Sequence, residues 1–288
     1  MTLSSRNALR TSAAALAGLG LAAALTACGP NGTPHSAPSP ADLRHVHGLG
    51  VDPADGRVYV ATHEGIVTPA GDGSARRVGD SDDDYMGFTA VGPHTFVASG
   101  HPGHGNEDEP ANRGLIESTD AGRTWKVRSL AGEADFHALD FAHGTLYGYD
   151  STRGRLRVSK DRVHWEDRAE LRALDIAVSP EDPDTILATT GQGVSRSTDG
   201  GRTFAPGTPP VMAFLSWAAP DALYGLDPSG TLHRSGDAGR TWQRTGTVHG
   251  GGPQALTAVS ADRVLVATED GVYESKDGGR TFTRLIAA

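Results

Sequence analysis

Four copies of one short pattern, spaced almost evenly, constrain this chain more than any other feature. They are STDAGRTW (118–125), STDGGRTF (197–204), SGDAGRTW (235–242) and SKDGGRTF (275–282); SKDRVHW (159–165) is a fifth, shortened and without the glycines. Their serines stand at 118, 159, 197, 235 and 275, at intervals of 41, 38, 38 and 40 residues. A fixed period of this length marks one supersecondary unit repeated along the chain, each too small to bury its apolar face without a neighbour. Between the copies, runs such as ALDIAVSP (173–180) and TILATT (185–190) have the length and residue types of short strands. Four such strands per repeat is the pattern of a propeller blade. Units open near residues 45, 84, 135, 170, 210 and 252, which predicts an all-β, six-bladed β-propeller over 41–288 with no residues left for a seventh blade. The last blade, ending at TFTRLIAA, is expected to close against the strand that starts near His45.

The chemistry of the repeat is that of a tight turn. An aspartate carboxylate accepts backbone N–H groups inside the turn, and the glycines supply backbone angles that other residues avoid. The terminal Trp or Phe is expected to tuck beneath. Asp120, Asp199, Asp237 and Asp277 therefore read as structural. The pattern resembles the Asp-box, or BNR, repeat, and the resemblance spans most of residues 41–288. The chain is also similar to short bacterial lipoproteins labelled sialidase-like or glycosyl hydrolase. That resemblance implies a glycan-cleaving enzyme, in which Asp150, Glu64 and Tyr149 would carry catalysis and Arg172 would join Tyr149, Asp150 and Glu64 in holding the sugar. Hydrolysis of this kind needs two carboxyl groups at a set separation. The chain departs from the sialidase pattern in lacking an Arg-Ile-Pro motif, and Arg172 is the one arginine expected in the inner ring. Other Asp-box propellers, such as photosystem assembly factors and sortilin-like receptors, bind protein partners without chemistry, which implies a scaffold as a third reading.

The chain before the repeats reads as an address. Arg6 and Arg10 precede a short apolar run ending at Ala27, the composition of a secretory signal over residues 1–27. Leu25-Thr26-Ala27-Cys28 resembles the bacterial lipobox, whose cysteine is acylated after cleavage. Cys28 is the only cysteine, so no intramolecular disulfide is possible. Residues 28–40 are then the lipidated cysteine and a Pro/Gly/Ser tether that cannot pack. The expectation is an extracytoplasmic domain held to the cell membrane through Cys28. Loss of residues 1–27 removes two arginines and moves the net charge from −9 to −11. That charge disfavours nucleic acid as a partner.

Parity within a blade predicts where a site would lie. If each first strand starts at the top face, the Asp-turns fall at the bottom, and the strand starts ring the channel mouth. Aligning HGLGV, MGFTA, HALDF, RALDI, MAFLS and QALTA puts His47, Met86, His137, Arg172, Met212 and Gln254 in one column expected at that mouth. The second-to-third loops add His63, Glu64, His101, His104, Tyr149 and Asp150. Histidine is therefore concentrated on blades one to three. His94, His143 and His164 are expected at the surface, and the acidic run 80–84 reads as a solvated loop.

Imidazole with thioether suits copper, and imidazole with carboxylate suits zinc or iron. His45, His47, His63, Met86, His101 and His137 are accordingly the candidate metal ligands, with copper or zinc the implied ion. The competing reading is a wet channel whose histidines bond water and backbone. Metal ion, glycan and protein partner all stay open from sequence alone.

Overall fold

The computed structural model describes residue 43, residues 45–104 and residues 108–288. The expected signal peptide, the tether and Cys28 lie outside the described residues. Six antiparallel sheets succeed one another along the chain, each built from consecutive strands. Blade one holds β1 (Val46–Val51), β2 (Val58–Thr62), β3 (Gly65–Pro69) and β4 (Ala75–Val78). Blade two holds β5 (Asp84–Gly92), β6 (Thr95–His101), β7 (Leu115–Ser118) and β8 (Lys126–Ser129). Blade three holds β9 (Phe136–Ala142), β10 (Thr145–Asp150), β11 (Arg155–Ser159) and β12 (Glu166–Glu170). Blade four has three strands, β13 (Ile176–Val178), β14 (Ile186–Thr190) and β15 (Gly193–Ser197). Blade five holds β16 (Phe214–Trp217), β17 (Leu223–Leu226), β18 (Thr231–Ser235) and β19 (Gln243–Thr247), and blade six β20 (Pro253–Ala258), β21 (Val264–Thr268), β22 (Gly271–Ser275) and β23 (Thr283–Ala287). The six-bladed propeller predicted from the repeat is the fold observed.

Blade four departs from the expected four strands. Its outer segment keeps a single bridge, Val194 to Thr208, and a bond from Ala205 N–H to the Arg196 carbonyl. Pro206, Pro209 and Pro210 crowd this stretch and lack the N–H a ladder requires.

The Ser-x-Asp turns all join the third strand of a blade to its outermost segment, and they bond alike. In the second blade Asp120 Oδ1 accepts the Thr124 N–H at 2.9 Å, its Oδ2 accepts the Thr124 hydroxyl at 2.6 Å, and Ser118 Oγ accepts the Gly122 N–H at 2.9 Å. Asp199, Asp237 and Asp277 repeat the set. Gly122 sits at φ 81°, where a side chain would be strained. In the shortened fifth turn His164 Nδ1 replaces the threonine hydroxyl, 2.7 Å from Asp161 Oδ2.

Inner strands β1, β5, β9, β13, β16 and β20 contact one another in order around the ring, and β1 meets β20 to close it. Side chains clip each blade to the next. Asp140 Oδ2 accepts Val178 N–H at 2.7 Å, Asp175 Oδ2 accepts Leu215 N–H at 2.8 Å, and Ser216 Oγ accepts Ala258 N–H at 2.9 Å. At the closure Thr257 Oγ1 donates to the Leu49 carbonyl at 2.8 Å. Blades one and two instead approach through glycine: a Cβ on Gly48 would lie 2.9 Å from Phe88 Cβ, and one on Gly50 2.6 Å from Phe88 Cε1. His94 and His143, expected as plain surface residues, also span blades. His94 Nδ1 lies 2.7 Å from the buried Asp52 Oδ2, and His143 Nε2 bonds the Ser179 carbonyl at 2.8 Å.

Candidate functional site

A recurrent irregularity builds the channel mouth. Pairing in blade one runs Val46–Thr62 and then Gly48–Ala61, so His47 is an extra, unpaired residue. The same slip isolates Met86 in blade two, His137 in blade three and Gln254 in blade six. A β-bulge bends its strand and redirects the side chain at the extra position. Four members of the sequence column are thus bulge residues. His47 and His137 line a central cavity of about 450 Å³. Gln254 turns to the ring closure, where its Oε1 accepts the Val46 N–H at 2.9 Å.

His47, His63 and Asp84 converge, with one ligand atom from each within 4.8 Å of the others. His63 Nδ1 lies 2.7 Å from Asp84 Oδ2, and His47 Nε2 lies 3.7 Å from Asp84 Oδ1. The two imidazoles meet edge to face with centroids 4.5 Å apart. His47 Nε2 and Asp84 Oδ1 are both sealed from solvent, and neither has a hydrogen-bond partner among the described residues. Burial drives the His47 pKa down to about 4 against the pull of Asp84, helped by His63, His137 and His45. At neutral pH this ring is uncharged and carries a free lone pair, the form that ligates a metal.

A second group adjoins the first. His137 Nε2 lies 2.7 Å from Asp135 Oδ2, and His101 Nε2 lies 3.8 Å from the same oxygen. The Asp135 hydrogen bond holds the His137 pKa above its ordinary value, although burial opposes it. Burial pushes Asp135 up, but the bond and charge of His137, with the charge of His101 and a bond from Ser151, leave it below the usual range.

The structure brings His47 and His63 together on Asp84, and His101 and His137 to Asp135, on blades one to three. His45 stands at the rim, exposed, at φ 53° with its ring 5.0 Å from that of His63. Other expectations are corrected. Met212 is buried between blades four and five with Leu187, Leu215 and Trp242, because β16 begins after it. Arg172 is exposed ahead of β13, whose regular pairing starts only at Ile176, and it does not line the channel. Met86 is half-buried on β5 and does not line the central cavity. Tyr149 is a core residue whose hydroxyl donates to the Leu171 carbonyl at 3.2 Å. Asp150 is fully buried and faces Arg153 and Arg157, each at 3.5 Å, while Glu64 is exposed in the β2–β3 turn. The run 80–84 is no solvated loop throughout. Asp83 is buried against Arg113, and Asp84 is a member of the triad.

Sequence reasoning missed Asp84 and Asp135. Each stands two residues before a bulge position, where the register slip interrupts the alternation that sequence counting relies on.

No family model and no curated protein matches the chain. Solved structures do. A GH74 enzyme described as ancestral superposes with a TM-score of 0.54 at 16% identity, over 82% of this chain and 36% of that one. A YCF48 protein bound to D1 peptide gives 0.53 at 16% identity, over 84% and 82%. A nidogen/laminin complex gives 0.59 at 12% identity, over 79% and 91%. The chain spans about a third of the GH74 enzyme. At these identities the likeness is one of fold: the chain is similar to propellers that are named for an enzyme, for a peptide complex and for a protein complex.

Proposed function

We propose that this protein binds a divalent transition metal at the channel mouth of blades one to three, through His47, His63 and Asp84, and presents it outside the cell membrane from a lipid on Cys28. One observation carries the metal reading. A buried imidazole nitrogen and a buried carboxylate oxygen face each other at 3.7 Å, and neither has a hydrogen-bond partner among the described residues. A direct N–H···O bond is too long at that distance. Leaving both groups bare is costly, and a cation between them removes the cost. Zinc bonds of about 2.0–2.1 Å to nitrogen and oxygen put neighbouring tetrahedral ligands about 3.3 Å apart, close to the spacing present.

The donor set favours zinc(II) over copper(I). Two imidazoles and a carboxylate are borderline-to-hard ligands, which suit zinc(II) better than copper(I). The glycosidase reading loses support from the enclosure of Tyr149 and Asp150. The lipid anchor rests on the lipobox resemblance at Leu25–Cys28.

The test is metal content and zinc titration of the full chain, purified in detergent, beside His47→Ala and Asp84→Asn. Stoichiometric zinc of which each variant loses one equivalent while its melting transition persists supports the site. Absence of binding, or a zinc stoichiometry unchanged in both variants, refutes it and directs attention to glycan and peptide panels.

A further inference from the structure

We propose that His101 and Asp135, with His137 beside them, form a second divalent-cation site, so that the top of blades one to three is a two-metal centre. The proposal rests on the reading of His47, His63 and Asp84 as the first site.

The tautomer of His101 is the first ground. Its Nδ1 lies 2.8 Å from the Ala111 carbonyl oxygen, which can only accept, so Nδ1 carries the proton. In the neutral ring Nε2 is then a bare lone pair, and it points toward Asp135 Oδ2 at 3.8 Å. An unprotonated imidazole nitrogen thus faces a carboxylate across a gap too long for a hydrogen bond. A backbone carbonyl on the distal nitrogen is also the outer contact that fixes ring orientation in metal-ligating histidines.

Asp135 supplies the second ground. The residue is 6% exposed, and its Oδ1 is sealed from solvent without a partner among the described residues. Its Oδ2 already accepts from Ser151 Oγ at 3.0 Å and meets His137 Nε2 at 2.7 Å. One oxygen is crowded and the other idle, so the carboxylate has a coordination position left over.

The repeat itself is the third. His63 comes directly after the second strand of blade one, and Asp84 lies two residues before the bulge of blade two. His101 ends the second strand of blade two, and Asp135 lies two residues before the bulge of blade three. The histidine–aspartate pair therefore recurs at consecutive blade junctions, shifted by one repeat. The bulge position that gives His47 to the first set holds Met86 in the second. His137, the bulge residue of blade three, is paired with Asp135 Oδ2 at 2.7 Å and borders the pair. His47 and His137 line the same cavity, which makes the two sets neighbours on one wall.

The experiment counts zinc per full-length chain by equilibrium dialysis with elemental analysis, in wild type, His101→Ala, Asp135→Asn and Asp84→Asn, with thermal melting as the check on folding. The expected result is two ions in wild type and one in each variant. Two variants at the second site guard against His101→Ala merely loosening the loop that Ala111 anchors. One ion in wild type, kept by His101→Ala and Asp135→Asn but lost in Asp84→Asn, overturns the second site and leaves the first standing. Two ions retained by folded His101→Ala and Asp135→Asn also overturn it. No zinc in wild type removes both.

Discussion

Asp84 reaches across a blade boundary to two imidazoles, its Oδ2 2.7 Å from His63 Nδ1 and its Oδ1 3.7 Å from His47 Nε2. Asp84 opens the inner strand of blade two, while both histidines belong to blade one. A cation bound here would tie the two blades together. Asp84→Asn keeps the shape and one acceptor but removes the charge. Loss of an outer partner of a metal ligand typically costs 10–100-fold in affinity. Asp84→Asn, which changes a ligand itself, is expected to exceed about 100-fold in zinc affinity. Zinc should also raise the melting temperature of wild type more than that of the variant, which has lost this ion, since a ligand stabilises only the state that binds it. Equal zinc-dependent shifts in both proteins would exclude Asp84 as a ligand.

Met212 separates the thioether expectation from the structure. Its side chain fills the boundary between blades four and five, and a Cβ on Gly225 would come within 3.0 Å of its sulfur. Met212→Ala opens a cavity there and is expected to cost about 2–5 kcal/mol. Metal affinity should be untouched. Urea denaturation gives the first quantity and copper and zinc titration the second. Loss of copper binding with unchanged stability would restore the methionine as a ligand.

Gly50 tests the tight approach of blades one and two. Alanine there would set a methyl group 2.6 Å from the Phe88 ring, which is packed between Phe96 and Trp125 and cannot retreat cheaply. Overpacking of this kind costs about 1–3 kcal/mol. Gly191→Ala is the control, since nothing lies within 4 Å of its added Cβ and its φ is not left-handed. It should be neutral or slightly stabilising in urea, and a matching loss in the two variants would contradict the packing argument.

The fold was legible because the repeat is written in residues whose local chemistry is self-contained. Ser118, Asp120, Gly122 and Thr124 complete their turn with one another, so no distant partner had to be guessed. The histidine concentration was legible for a related reason, since repeat alignment places loop ends on one face. Two-residue alternation stops being a reliable guide at the bulges. Met86 is itself the extra residue of the blade-two bulge, and only the folded backbone shows that Asp84, two residues before it, meets the imidazoles. Arg172 and Met212 were misplaced because blades four and five begin their regular pairing later than sequence similarity suggests, at Ile176 and Phe214. Tyr149 and Asp150 are hidden by contacts no local pattern announces: the Leu171 carbonyl, just after β12, accepts from the phenol, and Arg153 and Arg157 face the carboxylate.

Asp140 and Asp175 give the fold an unusual pH dependence. Both line the channel as blade-to-blade clips, and enclosure by protein raises their pKa values from 3.8 to about 6 and about 7, although accepted backbone N–H bonds pull the other way. The charge of Asp140 adds to the rise at Asp175. His143 lines the same cavity but is committed to the Ser179 carbonyl. Because the folded state holds these protons more tightly than the unfolded chain, it binds more protons between pH 4 and 7, and stability falls as pH rises through that window. The contribution is fully present below the unfolded value and gone above the folded one. Each pKa unit corresponds to roughly 1.4 kcal/mol, reduced here by solvent that enters the channel. Asp175→Asn keeps one acceptor, for Leu215 or Ile176 but not both, so its stability at pH 4–5 should drop. The slope is the cleaner readout. Urea midpoints of the variant should vary less between pH 4 and 7 than those of wild type, and parallel curves would show that Asp175 is ionised at neutral pH despite its enclosure.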